Sequence, residues 1–155
     1  MKEMFRKLLM IMAVSGTMWA ATTYDQISGE EMVSLLQDAG YKAVLKEDNS
    51  GDPKVVTKMG GLNVSIYFYG CEGEKGAKQC KTYQFYAGYD QKLDDKKVVE
   101  WNAKKRFARC YTSSDGNARV EYDVSTDGGV NKAFITRSFD RWEVILDEFT
   151  KFIGW

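Results

Sequence analysis

Residues 62–89, LNVSIYFYGCEGEKGAKQCKTYQFYAGY, decide how the rest of the chain is read. Leu62, Val64, Ile66 and Phe68 alternate with Asn63, Ser65, Tyr67 and Tyr69, and Tyr83, Phe85, Ala87 and Tyr89 alternate in the same way further on. Successive side chains of a strand point to opposite faces, so each run predicts a strand with one apolar face. Between the runs 62–69 and 82–89 lies a Gly- and Lys-rich stretch of the kind a turn needs, which makes the two strands antiparallel neighbours and brings Cys71 and Cys80 together. In an oxidising compartment such a pair closes a structural disulfide, stabilising the fold by about 2–3 kcal/mol on the chain-entropy model. Metal binding and redox catalysis fit less well. The chain has no histidine and no Cys-x-x-Cys, and the separation of the two cysteines exceeds the ligand spacing of zinc knuckles. Cys110, the odd cysteine, falls in the strand-like run 107–112, where a buried small hydrophobe is expected; an intermolecular bridge or a reactive thiol is the alternative.

The N-terminus points to the same compartment. Lys2, Arg6 and Lys7 precede the apolar residues 8–14, followed by small residues and Trp19-Ala20-Ala21, the charged, apolar, small order of a secretory signal. The apolar stretch is too short for a permanent span. Residues 1–21 are therefore expected to be a signal peptide, cut between Ala20 and Thr23, and residues 22–155 a single domain outside the cytoplasm. An uncleaved signal anchor is the alternative. No second long apolar segment follows, so no membrane span is expected after cleavage. The whole chain balances 22 basic against 22 acidic residues, and loss of Lys2, Glu3, Arg6 and Lys7 leaves it slightly acidic. That charge gives no reason to expect nucleic acid as partner.

Around the central pair of strands, other elements can be placed. Ser28-Gly29-Glu30-Glu31 has the spacing of a capping box, Met32, Leu35, Leu36 and Ala39 make an apolar stripe, and Gly40 can end that helix. A strand is expected over 41–46. Residues 47–53, EDNSGDP, are acidic enough to raise a calcium loop, but they lack the alternating oxygen ligands and the closing Glu, so a turn is expected. The run 55–59 reaches the central strand through Gly60-Gly61, completing an antiparallel meander of three or four strands. Asn63-Val64-Ser65 matches the glycosylation sequon, but within a strand. Asp94 or Asp95 can cap a second helix with Val98, Trp101 and Asn102 on one face, and Ser114-Asp115-Gly116-Asn117 can turn a second hairpin into a strand whose Ala118, Val120, Tyr122 and Val124 share a face. Gly128-Gly129 are expected to open a last helix with a seam of Ile135, Phe139, Trp142, Leu146, Phe149 and Ile153. That seam can pack on the chain's own core, the favoured reading, or on a second subunit as a homodimer. The class is α+β: an antiparallel sheet with three helices in the order α-β-β-β(-β)-α-β-β-α.

Phe68-Tyr69-Gly70-Cys71, Cys80 before Tyr83-Gln84-Phe85, Trp101-Asn102, Arg106-Phe107-Ala108-Arg109, Asp115-Gly116 and Asp127-Gly128-Gly129-Val130 occur in an order that resembles the YbjN-domain family. The resemblance spans nearly the whole mature chain. It implies a bacterial sensory transduction regulator with a fold similar to type III secretion chaperones. Those chaperones work in the cytoplasm, so an exported chain does not inherit their activity from the fold.

No catalytic or metal-binding residues and no cofactor are expected: histidine is absent, and no Gly-x-Ser-x-Gly nucleophile motif occurs. Trp101 is expected to anchor its helix to the sheet and Asn102 to bond backbone in the following hairpin, a ligand site being the alternative. Lys96, Lys97, Lys104, Lys105, Arg106 and Arg109 make this neighbourhood basic, tempered by Asp94, Asp95 and Glu100. A solvated helix face is the default, and recognition of an acidic peptide or phosphate the alternative. Trp101, Asn102, Lys105 and Arg106 thus form the candidate partner surface of an exported, non-catalytic interaction or regulatory module. The alternatives are a small-ligand protein using its many tyrosines and a small histidine-free periplasmic enzyme.

Overall fold

A computed structural model describes residues 22–155, so the expected signal peptide lies outside the described residues. The chain enters through two short strands, β1 (Thr23–Tyr24) and β2 (Ile27–Ser28), and runs directly into helix α1 (Gly29–Asp38). Ser28 caps α1 as the sequence requires: its hydroxyl accepts from Glu31 N–H at 3.1 Å, and the Glu31 carboxylate accepts from Ser28 N–H at 2.8 Å. Gly40, at φ +90, follows the helix end, where a Cβ would be strained.

The meander has four strands: β3 (Ala43–Glu47), β4 (Pro53–Met59), β5 (Leu62–Glu72) and β6 (Gln79–Lys92). Helix α2 (Asp95–Lys104) then carries the chain over to β7 (Ala108–Thr112), which turns back into β8 (Asn117–Ser125). The short strand β9 (Val130–Asn131) precedes the long helix α3 (Lys132–Ile153). The main sheet has the order β3-β4-β5-β6-β8-β7, with β2 also pairing β6, and β1 pairs β9 separately. Every pair is antiparallel.

Several boundaries differ from expectation for physical reasons. The central strands continue past the predicted runs 62–69 and 82–89, so Cys71 and Cys80 face each other inside the ladder and are joined there as a disulfide. The extension is supported from the other side, where β2 places Ile27 opposite Cys80. Tyr41 is not in a strand; its ring meets Phe139 edge-on at 6.2 Å, tying the end of α1 to α3. In residues 47–53, the Asp48 carboxylate accepts from Ser50 N–H at 2.8 Å and Asp52 N–H at 2.9 Å, the geometry of a turn rather than a cation loop. Gly128 and Gly129, both with positive φ, form a turn, and Asn131 caps α3 by accepting from Phe134 N–H at 2.9 Å.

The core lies between one face of the sheet and α3. Leu62, Val64, Ile66 and Phe68 are buried, as are Tyr83, Phe85, Ala87 and Tyr89 from the neighbouring strand. Phe85 stacks on Trp142 at 5.5 Å and on Tyr122 at 5.9 Å, and Tyr89 meets Phe149 at 5.3 Å. All six seam residues of α3 are buried in this layer. The seam is consumed by the chain's own core and leaves no face there for a second copy.

A basic groove beside Phe107

The site begins with the end of α2. Asp94 caps this helix by accepting from Lys97 N–H at 2.9 Å, and Asp95 and Lys104 at its ends match the helix dipole. One turn of apolar surface then points inward. Trp101 is 1% exposed; its indole N–H donates to the Ala108 carbonyl at 3.1 Å and its ring meets Phe149 at 4.8 Å. Asn102 donates its amide N–H to the Cys110 carbonyl at 3.0 Å and accepts from Cys110 N–H at 2.9 Å. β7 is an edge strand, so Asn102 takes the place of a neighbouring strand and satisfies both backbone groups of one residue.

Of the four candidate surface residues, Trp101 turns inward, while Asn102 is exposed but spends its amide on the β7 backbone. Trp101 is in the core and unavailable to a partner, and both amide atoms of Asn102 are engaged. Lys105 and Arg106 are on the surface. Lys105 Nζ pairs with Glu148 at 2.9 Å and lies 5.7 Å from the Trp101 ring centre. Arg106 has no ion pair among the described residues.

The next residue was expected at the start of a strand, but Phe107 has φ +72 and is 64% exposed. A bulky side chain at positive φ is strained by about 1–3 kcal/mol, and exposure leaves no burial to offset it. The surroundings hold it in place. The Arg141 guanidinium covers the ring at 4.7 Å, and the Tyr122 ring approaches at 6.5 Å. On either side the backbone is fixed: Lys105 N–H bonds the Trp101 carbonyl at 2.8 Å, and the Ala108 carbonyl accepts from Trp101. Phe107 occupies the step between these two anchors.

Phe107 forms one wall of a groove of about 530 Å³ whose other wall is the outer stripe of α3. Arg137, Arg141, Val144 and Glu148 recur at intervals of four, three and four and so share one side of the helix. Val144 is 58% exposed. Arg106, Asp140 and Ile145 complete the lining. Arg141 also donates to the Tyr122 hydroxyl at 3.1 Å, whereas Arg137, like Arg106, has no ion pair among the described residues. Sequence reasoning found Lys105 and Arg106 but missed Phe107 as a surface residue, along with Arg137, Arg141 and Val144. The available signal was the set of α3 positions lying off its buried seam.

The opposite face of the sheet carries the tyrosines considered for a ligand pocket. Its centre is Glu121, whose side chain is 8% exposed and accepts from Arg109 Nη2 and from Tyr111 Oη, both at 2.7 Å. The bond to Glu121 raises the Arg109 pKa, and burial followed by the same carboxylate raises that of Tyr111. Tyr69 donates to Gln84 at 3.2 Å, and Gln84 donates to Asp123 at 2.8 Å. These polar groups, with Gln84 and Glu121 buried among them, satisfy one another across the sheet. A second depression, about 470 Å³, lies where the disulfide-closed loop meets the N-terminus of α1 and is edged by the Lys78–Asp52 pair at 2.7 Å. Among the described residues no group of three or more Cys, Asp or Glu is placed to hold a metal ion, and no helix is long and apolar enough to cross a membrane.

A family model described as "Putative bacterial sensory transduction regulator" matches residues 28–155, from the capping serine of α1 to the last residue. The chain belongs to the YbjN family. The match contains the whole groove of this YbjN domain, both anchors of Phe107 and all of α3. No curated protein and no solved structure matches the chain.

Proposed function

We propose that this YbjN domain is an exported, non-catalytic regulatory module that binds a protein partner in the periplasm through the groove beside Phe107. The observation that carries the reading is Phe107 itself: an exposed aromatic ring, held at φ +72 by Arg141 and Tyr122, in a groove with Arg106 and Arg137, which have no ion pair among the described residues. A strained, exposed aromatic contributes less to folding than glycine would there, and aromatic and arginine side chains are what interfaces use as anchors. The family's regulatory description supports the same class of function, and the N-terminal pattern with the Cys71–Cys80 bridge supports the compartment. The near-neutral charge favours a protein partner over nucleic acid. The reading invokes no cofactor.

The test replaces the exposed cations. Lys105→Glu with Arg106→Glu is expected to weaken crosslinking to the partner in the periplasm of the producing bacterium, while the unfolding temperature stays within a few degrees of the unaltered protein, since exposed charges contribute little to folding but steer association. Undiminished crosslinking by the folded double variant would exclude this surface. Turnover of a defined substrate, abolished by changing one carboxylate or serine, would instead place the protein among enzymes.

A further inference from the structure

We infer that the groove takes a short acidic peptide segment carrying an apolar side chain, an inference that rests on the partner-binding reading above. The charges set the sign. Arg106, Arg137 and Arg141 face the groove against Asp140 and Glu148, and Glu148 is already answered by Lys105 at 2.9 Å. What remains without an ion pair among the described residues is three guanidiniums against one carboxylate, Asp140; Arg141 is engaged with the Phe107 ring and the Tyr122 hydroxyl, which leaves Arg106 and Arg137 as the cations open to a ligand. The two cations come from different walls, one preceding Phe107 and the other on α3.

The apolar surface rules out a free small anion as the natural occupant. Phe107, Val144 and Ile145 line the groove together with the cations. An anion alone would cover none of this surface, whereas an apolar side chain placed between acidic neighbours removes it from water and keeps the carboxylates at the arginines. Length points the same way: Arg137 to Val144 spans about 10 Å of helix, which matches roughly three residues of extended chain.

The experiment uses residues 22–155 with the disulfide intact and a fluorescein-labelled peptide in which one leucine is flanked on each side by two glutamates. Two controls replace the glutamates by lysine or the leucine by serine. Anisotropy is expected to report binding of the acidic leucine peptide, with at least about tenfold weaker binding of each control. Raising the salt from about 50 to about 500 mM is expected to weaken binding severalfold, because rim charges are screened over a few ångströms at that strength. Arg106→Glu with Arg137→Glu is expected to weaken it at least about tenfold without altering thermal unfolding. Equal binding of the lysine peptide, binding unchanged by the double variant, or no binding up to about 1 mM protein would overturn the inference. If the peptides fail while periplasmic crosslinking still depends on Lys105 and Arg106, the groove remains the partner site and only the acidic assignment falls. If crosslinking is also indifferent to those residues, both readings fall.

Discussion

Trp101 and Asn102 are adjacent in sequence and were readable as a pair, because an aromatic and an amide on one helix face next to a hairpin suit anchoring and backbone bonding. Both roles are seen in the structure. Phe107 could not be read in the same way. Its residue type favours a strand, and only the two fixed points on either side, the end of α2 and the Ala108 carbonyl held by Trp101, force it into the left-handed region. Cys110 shows the opposite case, a residue whose fate follows from its type. It is buried, and burial pushes its thiol from an ordinary 9.0 up to about 11, so thiolate is scarce at neutral pH. Thiol labelling at pH 7.5, read by intact mass, is therefore expected to modify no cysteine in the folded, unreduced protein. One should react after denaturation and three after denaturation with reduction. Reaction of all three before reduction would contradict the Cys71–Cys80 bridge.

At the level of elements, the strands and the helix seam were legible because their periods of two and of three to four are written in apolar residues. The ends were less legible. β5 and β6 extend beyond their apolar runs because β2, a two-residue strand with no pattern of its own, supplies a further partner at Cys80. The groove was invisible for a related reason: it is made by the polar side of α3 meeting a turn from elsewhere in the chain, and no local spacing encodes that meeting. The β7 edge offers a direct check. Asn102→Ala leaves the Cys110 N–H and carbonyl without their partner, and is expected to cost about 1–3 kcal/mol in denaturant unfolding. Amide hydrogen exchange at Cys110 should accelerate at the same time. Unchanged exchange there would mean that another group protects the edge.

Across the whole molecule, the absence of histidine and the burial of acidic phenols and a thiol shape the pH response. Burial raises Tyr83 and Tyr89 above the ordinary 10.0, and burial aided by Glu143 pushes Tyr41 up to about 12. Cys110 is raised to about 11 by burial alone. Each group holds its proton more tightly folded than unfolded, so the stability it contributes is complete below its unfolded value and is lost as pH rises through the folded one. Stability is thus expected to fall as pH rises from about 9 towards 12, with no histidine to add a step between pH 6 and 7. Urea midpoints taken from pH 7 to 11 check this, and a midpoint still constant at pH 11 would refute it.

The central claim is that the groove beside Phe107 exists for binding rather than for folding, and Phe107→Gly tests it most directly. Glycine accepts φ +72 without strain, so the variant trades about 1–3 kcal/mol of relieved strain against a lost ring contact with Arg141 worth about 0.5–1 kcal/mol. Denaturant unfolding and periplasmic crosslinking of the same variant are expected to show stability equal to or above that of the unaltered protein and partner capture reduced at least about tenfold. A variant that loses several kcal/mol of stability, or one that folds and still captures the partner in full, would contradict it.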